Sequence, residues 1–388
     1  MGRARQLLLP GAALVTALAA GLAPALLPAG TWLPAALWHL VFAVGALPMI
    51  LAAMGYFVPV LTRSGAAPRL LAVAPLAALA AGAGIVGFFV HGTPALRLAA
   101  PWLALLAVAG FAAWLAWRWR RCLGRPNACL AWYAAALGLL ALGLLAVAAA
   151  PYAPEHGRAL RAFHLHINLL GFVGVTALGT LHVLLPTVAG RPDPSAAARL
   201  ALDLKWSAGG AFLLALGTAL ASVPGSVPTA LAAPLALAGT AAYAWPPLRL
   251  LSHARRAWRR ELVAAGNTMP LLVAALAGLC LALGAGCLHL FGITAGAAAL
   301  PLFALAFLLP LVSGAAGQLL PVWLYPGVQD AWHRASRKRL ALGARARAAL
   351  LPAGGVLAAL GLAPGYVIGV LGAVWLALAM LAVLLGRR

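Results

Sequence analysis

The feature that most constrains this chain is a succession of about twelve apolar runs, each long enough to cross a lipid bilayer as a helix. A spanning helix needs roughly 20 apolar residues, and glycine, proline or charged residues separate the runs. Only helices and closed barrels satisfy their backbone hydrogen bonds within a bilayer. We predict helices over 7–28, 36–62, 69–91, 97–119, 128–150, 163–188, 203–223, 228–250, 268–290, 294–320, 343–362 and 366–386.

The composition excludes a soluble globular fold. The chain is 65% hydrophobic and 8% charged, whereas a soluble domain is about half apolar and about a quarter charged. We therefore predict an all-α fold: a polytopic membrane helix bundle of about 12 transmembrane helices that forms a single integral membrane domain over 1–388. The lipid bilayer is its first expected partner.

The basic residues predict the orientation of the bundle. The formal net charge is +22, which would also fit nucleic-acid binding, but the charges lie in short loops between apolar runs. Of the 27 Lys and Arg residues, all except Arg97, Arg158 and Arg161 fall on one side of the predicted membrane. This positive-inside pattern predicts a multi-pass protein of a bacterial-type inner membrane with both termini cytoplasmic, and no nucleic acid as partner. The N-terminal basic start and apolar run also resemble a signal peptide, but the topology favours a retained first helix.

A faint internal repeat predicts three pseudo-repeats of four helices. In the first unit His39 precedes Pro59 by 20 residues, and in the second His166 precedes Pro186 by the same spacing. The third unit has Pro321 in a similar string, without a histidine 20 residues before it. The units are roughly 1–125, 126–255 and 256–388.

The third unit can also be aligned by a histidine. His289 lies 125 residues after His164, and His164 lies 125 residues after His39. The third unit therefore fits the repeat by its proline or by its histidine, but not by both.

Four histidines from distant parts of the chain are predicted at one depth, near the outward face of the membrane. Ionisable groups inside a membrane are costly and usually functional, and histidine is the usual axial ligand of heme and the commonest metal ligand. We predict heme or metal binding by His39, His164, His166 and His289. Residues i and i+2 of a helix point about 200° apart, so His164 and His166 are expected to serve opposite faces. His182, near the other end of the same helix, is interpreted as a packing residue or a weak secondary site.

The segment FHLHINLLGFVGVTALGTLHVLLPTVAGR resembles the heme-ligand helix of the heme–copper oxidase catalytic subunit superfamily. It also resembles the NnrS family, twelve-helix heme proteins linked to nitric oxide stress. In that family a histidine is followed five and eight residues later by glycines, and the helix ends in Gly-Arg. The matching residues here are His166, Gly171, Gly174, Gly190 and Arg191.

The resemblance implies twelve helices in three arcs, with His39, His164 and His166 as heme or metal ligands. His289 has the weaker claim, because its helix does not match the family's motif. The chain has no CxxCH motif, so a b-type heme is expected rather than a covalent c-type heme; copper is the second candidate cofactor. The adjacent His-His pair of the oxidase copper site is missing, and no acidic residue is predicted deep within a span. These departures argue against oxygen reduction and proton pumping.

The sequence therefore predicts an inner-membrane heme-binding protein, with or without copper, linked to nitric oxide or other diatomic gas chemistry or to electron transfer. A heme-dependent oxidoreductase is the enzyme class that this implies, with a small diatomic ligand as partner and an unidentified electron donor. Two alternatives stay open: a membrane transporter of a small solute, and a cofactor-poor assembly or accessory partner of a respiratory complex.

Overall fold

A computed structural model of the chain describes residues 3–30, 33–223 and 226–386. Within these ranges the regular secondary structure is entirely helical, which confirms the all-α fold class. We number the twelve long helical segments α1 to α12 in chain order. Their bounds are Arg3–Leu26, Pro34–Leu61, Arg69–His91, Pro94–Arg120, Cys129–Ala149, Pro154–Ala189, Ala196–Leu220, Ser226–Ala257, Met269–Leu290, Gly296–Leu324, Ala331–Ala359 and Ala363–Leu385.

Eleven of these segments, all except α8, are long and apolar enough in their described residues to cross a membrane. The chain is thus a multi-pass membrane protein by helix length and composition. The predicted run 228–250 lies inside α8, and the count of twelve spans stays a prediction.

Segment α11 begins well before the predicted helix 343–362. A basic helix, Ala331–Leu340, precedes the apolar helix Ala344–Ala359. The side chain of Asp330 accepts a hydrogen bond from the backbone N–H of His333, and the backbone N–H of Asp330 donates to Nδ1 of His333. This reciprocal capping starts a helix that has too little apolar periodicity to be found from its pattern.

The described residues group into two compact units, each made of several stretches of the chain. The first unit contains residues of Met1–Met49, Leu184–Pro192 and Pro247–Arg388, and the second contains Ile50–Val183 and Asp193–Pro246. These units do not follow the predicted pseudo-repeats, and the division into three units of four helices stays a prediction.

Close helix contacts in the first unit depend on small residues. Helix α1 packs along α12, and α9 packs on α10. A Cβ atom added to Gly21 would lie 2.4 Å from Ala373 Cβ, and one added to Gly278 would lie 1.8 Å from the carbonyl oxygen of Ala306. Small residues let helix backbones approach closely in lipid, where packing drives association.

In the second unit, consecutive helices pack on one another from α3 to α7. Its core is closed by large buried side chains, including Trp132, Tyr133 and Tyr243. Helix α7 approaches α8 at Gly217, where an added Cβ would lie 2.5 Å from the backbone nitrogen of Ala236.

Three of the described helical segments change from α-helical to π-helical winding part of the way along. The π-helical residues are Leu40–Ala46 in α2, Ile167–Gly174 in α6 and Leu302–Leu308 in α10. Each has a hydrogen bond that spans five residues at its end, from Leu47 N to Phe42 O, from Val175 N to Leu170 O and from Leu309 N to Ala304 O. Such segments occur frequently at functional sites.

The three π-helical segments share one register in the sequence. The residue before each segment is His39, His166 or Pro301, and a proline follows 20 residues after it in every case. The span in α10 therefore aligns with the other two by its proline, and Pro301 occupies the position of the two histidines.

Neighbouring side chains support the π-helical winding in α6. The buried Tyr243 hydroxyl donates to the carbonyl oxygen of Leu170 at 3.0 Å. A Cβ on Gly174 would lie 2.0 Å from that hydroxyl oxygen. The tyrosine can reach the widened turn only because residue 174 has no side chain.

The contact at Gly278 yields a testable prediction for the first unit. Gly278→Ala should lower the free energy of unfolding by about 1–3 kcal/mol, because the new methyl group meets backbone atoms that cannot move aside easily. Gly284→Ala in the same helix is the matched control, because nothing lies within 4 Å of its added Cβ. Chemical unfolding in detergent, followed by circular dichroism, measures both; equal stability of the two variants would contradict the packing described here.

Candidate functional site

His39 and His166 occupy corresponding positions in two different helices. Each is the last α-helical residue before a π-helical segment, and each ring is half-buried. His39 belongs to the first unit and His166 to the second. The two histidines that the sequence repeat pairs with prolines are thus also paired by their local backbone structure.

Both imidazoles are oriented by hydrogen bonds to backbone carbonyls one turn earlier. His39 Nδ1 lies 2.6 Å from Ala35 O, and His166 Nδ1 lies 2.8 Å from Ala162 O. A carbonyl can only accept, so Nδ1 carries the proton and Nε2 carries the lone pair in the neutral ring. Metal-bound histidines usually have this arrangement, in which the second ring nitrogen donates to a fixed acceptor.

A threonine adds a second contact to His166. Thr218 Oγ1 in α7 lies 3.2 Å from His166 Nδ1, and the same hydroxyl donates to Ala215 O at 2.9 Å. Because the threonine proton is directed to Ala215, its oxygen can accept from the imidazole. The ring of His166 is therefore turned toward α7.

His164 faces a different neighbour. Its Nδ1 lies 2.9 Å from the carbonyl oxygen of Gly143 in α5, and the side-chain amide of Asn168 also contacts the ring. A Cβ on Gly143 would lie 2.3 Å from Asn168 Oδ1, so this close packing requires glycine. His164 and His166 are thus directed at different helices, as their spacing predicts.

His289 has a local environment unlike that of the other three. It is exposed near the end of α9, and its Nδ1 lies 3.0 Å from Thr294 O in the following loop. A Cβ on Gly296 would lie 2.8 Å from His289 Nε2. The ring therefore lies over its own loop, and its assignment as a ligand stays a prediction.

The described residues contain no group of three or more His, Cys, Asp or Glu side chains arranged to hold a metal ion. Copper binding stays a prediction. Heme needs only one or two axial imidazoles, since the porphyrin supplies the other four ligands of the iron. The donor chemistry and orientation of His39 and His166 fit that requirement.

The structure also reveals an ionisable pair that the sequence analysis missed. Asp203 in α7 lies with Oδ2 3.1 Å from His182 Nε2 in α6, and both side chains are fully buried. The sequence predicts Asp203 near a helix end; it is the eighth residue of α7, and its carboxyl group is buried against a histidine of the neighbouring helix. His182 is more than a packing residue for the same reason.

The His182–Asp203 pair holds a proton between its two side chains. His182 Nδ1 lies 2.8 Å from Leu178 O and must donate to it. The contact between Nε2 and the carboxyl group then needs one further proton, carried either by the ring or by Asp203. The indole of Trp132 covers the imidazole with the ring centroids 5.6 Å apart.

Three of the other acidic residues have electrostatic roles near helix ends or in loops. Asp330 caps the basic helix of α11, and Glu261 pairs with Arg191 at 2.7 Å. Burial alone would raise the pKa of the Asp193 carboxyl, but hydrogen bonds from Arg199 and Ser195 outweigh it and hold the pKa below its ordinary range.

Comparison with known proteins adds no assignment. No family model matches the chain, and no curated protein matches it at a significant level. The resemblances to the heme–copper oxidase superfamily and to NnrS therefore rest on the sequence motifs alone.

The buried pair can be tested by removing its carboxylate. We expect Asp203→Ala to lower the free energy of unfolding by at least about 2 kcal/mol, because it leaves a buried imidazole without its partner. Glu155→Ala is the control, since Glu155 is exposed, and surface changes of this kind usually stay within about 0.5 kcal/mol. Denaturation monitored by circular dichroism in detergent measures both variants. A cost for Asp203→Ala as small as that of the control would show that the pair is not buried as described.

Proposed function

We propose that this multi-pass membrane protein binds b-type heme, with His39 as a candidate ligand in the first unit and His166 as a candidate ligand in the second. The observation that carries the proposal is their equivalent placement: each histidine directly precedes a π-helical segment and donates from Nδ1 to the carbonyl four residues earlier. Two histidines placed by chance in apolar helices would not be expected to share the same local backbone structure.

The surroundings of His166 would tune a bound iron. Hydrogen bonding at Nδ1 fixes the tautomer and raises the basicity of Nε2 as a ligand. Ala162 O and Thr218 Oγ1 both contact Nδ1 of His166.

The heme supplies reversible binding of a small diatomic ligand where one axial position is open, and electron transfer where both are filled. The chain supplies the ligands, the apolar surroundings that limit water, and the orientation of each ring. We propose gas binding or electron transfer at the inner membrane with both termini cytoplasmic, which the distribution of basic loops supports.

One observation favours a second candidate function, transport of a small solute coupled to protons. The His182–Asp203 pair is fully buried in α6 and α7, and buried ionisable residues of this kind mark proton relays in membrane transporters. Solute uptake into proteoliposomes by heme-free protein, driven by a pH gradient and lost in Asp203→Asn, would favour it. Lack of such uptake across a panel of solutes would leave no support for this candidate.

The heme proposal predicts a Soret absorption band in detergent-purified protein expressed with ample heme supply. His39→Ala and His166→Ala should each weaken heme retention at least about tenfold, because loss of a ligand costs more than loss of its supporting hydrogen bond. His91→Ala is the matched control, since His91 also lies at a helix end and is exposed. Heme content per protein is measured by extraction and absorbance.

Absence of a Soret band in the wild-type protein would contradict the proposal, as would full heme content in both ligand variants. Carbon monoxide addition to the reduced protein then distinguishes the two chemistries. A shifted Soret band indicates an open axial position, and an unchanged band indicates two histidine ligands.

A further inference from the structure

A lipid-exposed groove lies between α3 and α4 in the second unit. Its volume is about 460 Å³. It is lined almost entirely by apolar residues, among them Pro68, Leu71, Ala77, Leu103, Gly110 and Trp114. Of the spans found in the described residues, α3 buries the smallest share of its side chains.

The groove has the length of one leaflet of a bilayer. From Leu103 to Trp114 it follows α4 for eleven residues, or about 16 Å at the rise of an α-helix. Half of the hydrocarbon core of a membrane is about 15 Å. An acyl chain that reaches from the middle of the membrane to the headgroup region would therefore fit along the groove.

The end of the groove at Pro68 and Trp114 is basic. The Arg118 guanidinium lies over the Trp114 ring, with Cζ 5.7 Å from the centroid, and its Nη2 donates to Ala66 O at 3.0 Å. Arg118 thereby connects the end of α4 to the loop that precedes α3. Arg69 lies between the lining residues Pro68 and Leu70 and is exposed.

No acidic side chain in this part of the sequence neutralises that basic end. The first acidic residue of the chain is Glu155, which follows α5. A phosphate group at the level of Arg69 and Arg118 would supply the missing negative charge. Basic residues next to a span attract anionic lipids with about 1 kcal/mol each.

We propose that this groove is a binding site for one anionic phospholipid. One acyl chain lies between α3 and α4, and the phosphate lies at Arg69 and Arg118. The apolar walls, the leaflet-long dimension and the unbalanced positive charge at one end together define this ligand. The site is independent of heme and of the His182–Asp203 pair.

The chain offers a matched pair of variants that fill or spare the groove. Nothing lies within 4 Å of a Cβ added to Gly110, which lines the groove, or to Gly138, which is exposed on α5 outside it. Gly110→Leu therefore places a side chain in the space of the acyl chain, and Gly138→Leu places the same side chain elsewhere on the lipid-facing surface.

The experiment measures lipid retained by the full-length protein after delipidation in detergent and re-addition of phosphatidylglycerol or phosphatidylcholine with identical chains. Native mass spectrometry counts the bound molecules. We expect one retained phosphatidylglycerol in the wild-type protein and in Gly138→Leu, and its loss in Gly110→Leu. Equal retention in the two glycine variants, or no retained lipid in the wild-type protein, would overturn the proposal.

A second pair tests the headgroup contact while leaving the apolar lining residues unchanged. Arg118→Gln should reduce the preference for phosphatidylglycerol over phosphatidylcholine roughly fivefold, the factor that about 1 kcal/mol per basic residue gives. Arg120→Gln removes the same charge from the same helix end and should change the preference less. Equal effects of both substitutions would show general attraction of lipid to a basic surface and would overturn the site at Arg118.

Discussion

The constraint on which this structure depends is that a bilayer offers the backbone no water as a hydrogen-bonding partner. It makes every span a helix, and it restricts how a span can depart from regular α-helical winding. The π-helical segments meet this restriction, since their bonds span five residues, as from Val175 N to Leu170 O. In α6 the hydroxyl of Tyr243 also donates to Leu170 O. The backbone groups named here therefore keep hydrogen-bond partners although the helix is irregular.

The same constraint gives meaning to the positions of the histidines. A π-helical turn interrupts the regular helix, and His39 and His166 stand at the point where that interruption begins. In α10 the equivalent residue is Pro301, which has no side chain able to bind a metal. The three spans thus share a π-helical segment, and in two of them a histidine directly precedes it. That combination separates the ligand candidates from His289, whose ring lies over its own loop.

The sequence predicts the helices well because their signal is local. Long apolar runs locate eleven membrane-crossing helices, and the missed start of α11 is a basic helix held by a capping interaction at Asp330. The opposed directions of His164 and His166 follow from helical geometry alone. Pairings between helices have no such signal. Asp203 is 21 residues from His182 and meets it only after α6 and α7 pack, so its burial could not be read from the sequence. The π-helical winding depends likewise on partners such as Tyr243.

The central question for this protein is whether an iron binds at the π-helical segments. The most direct measurement is an experimental density map, obtained by electron cryomicroscopy, of the protein purified after expression with excess heme. Porphyrin density with its iron coordinated by Nε2 of His39 or of His166 is the result expected here. A map with well-resolved density for both histidines and no porphyrin beside either, or a porphyrin held by other side chains, would contradict it.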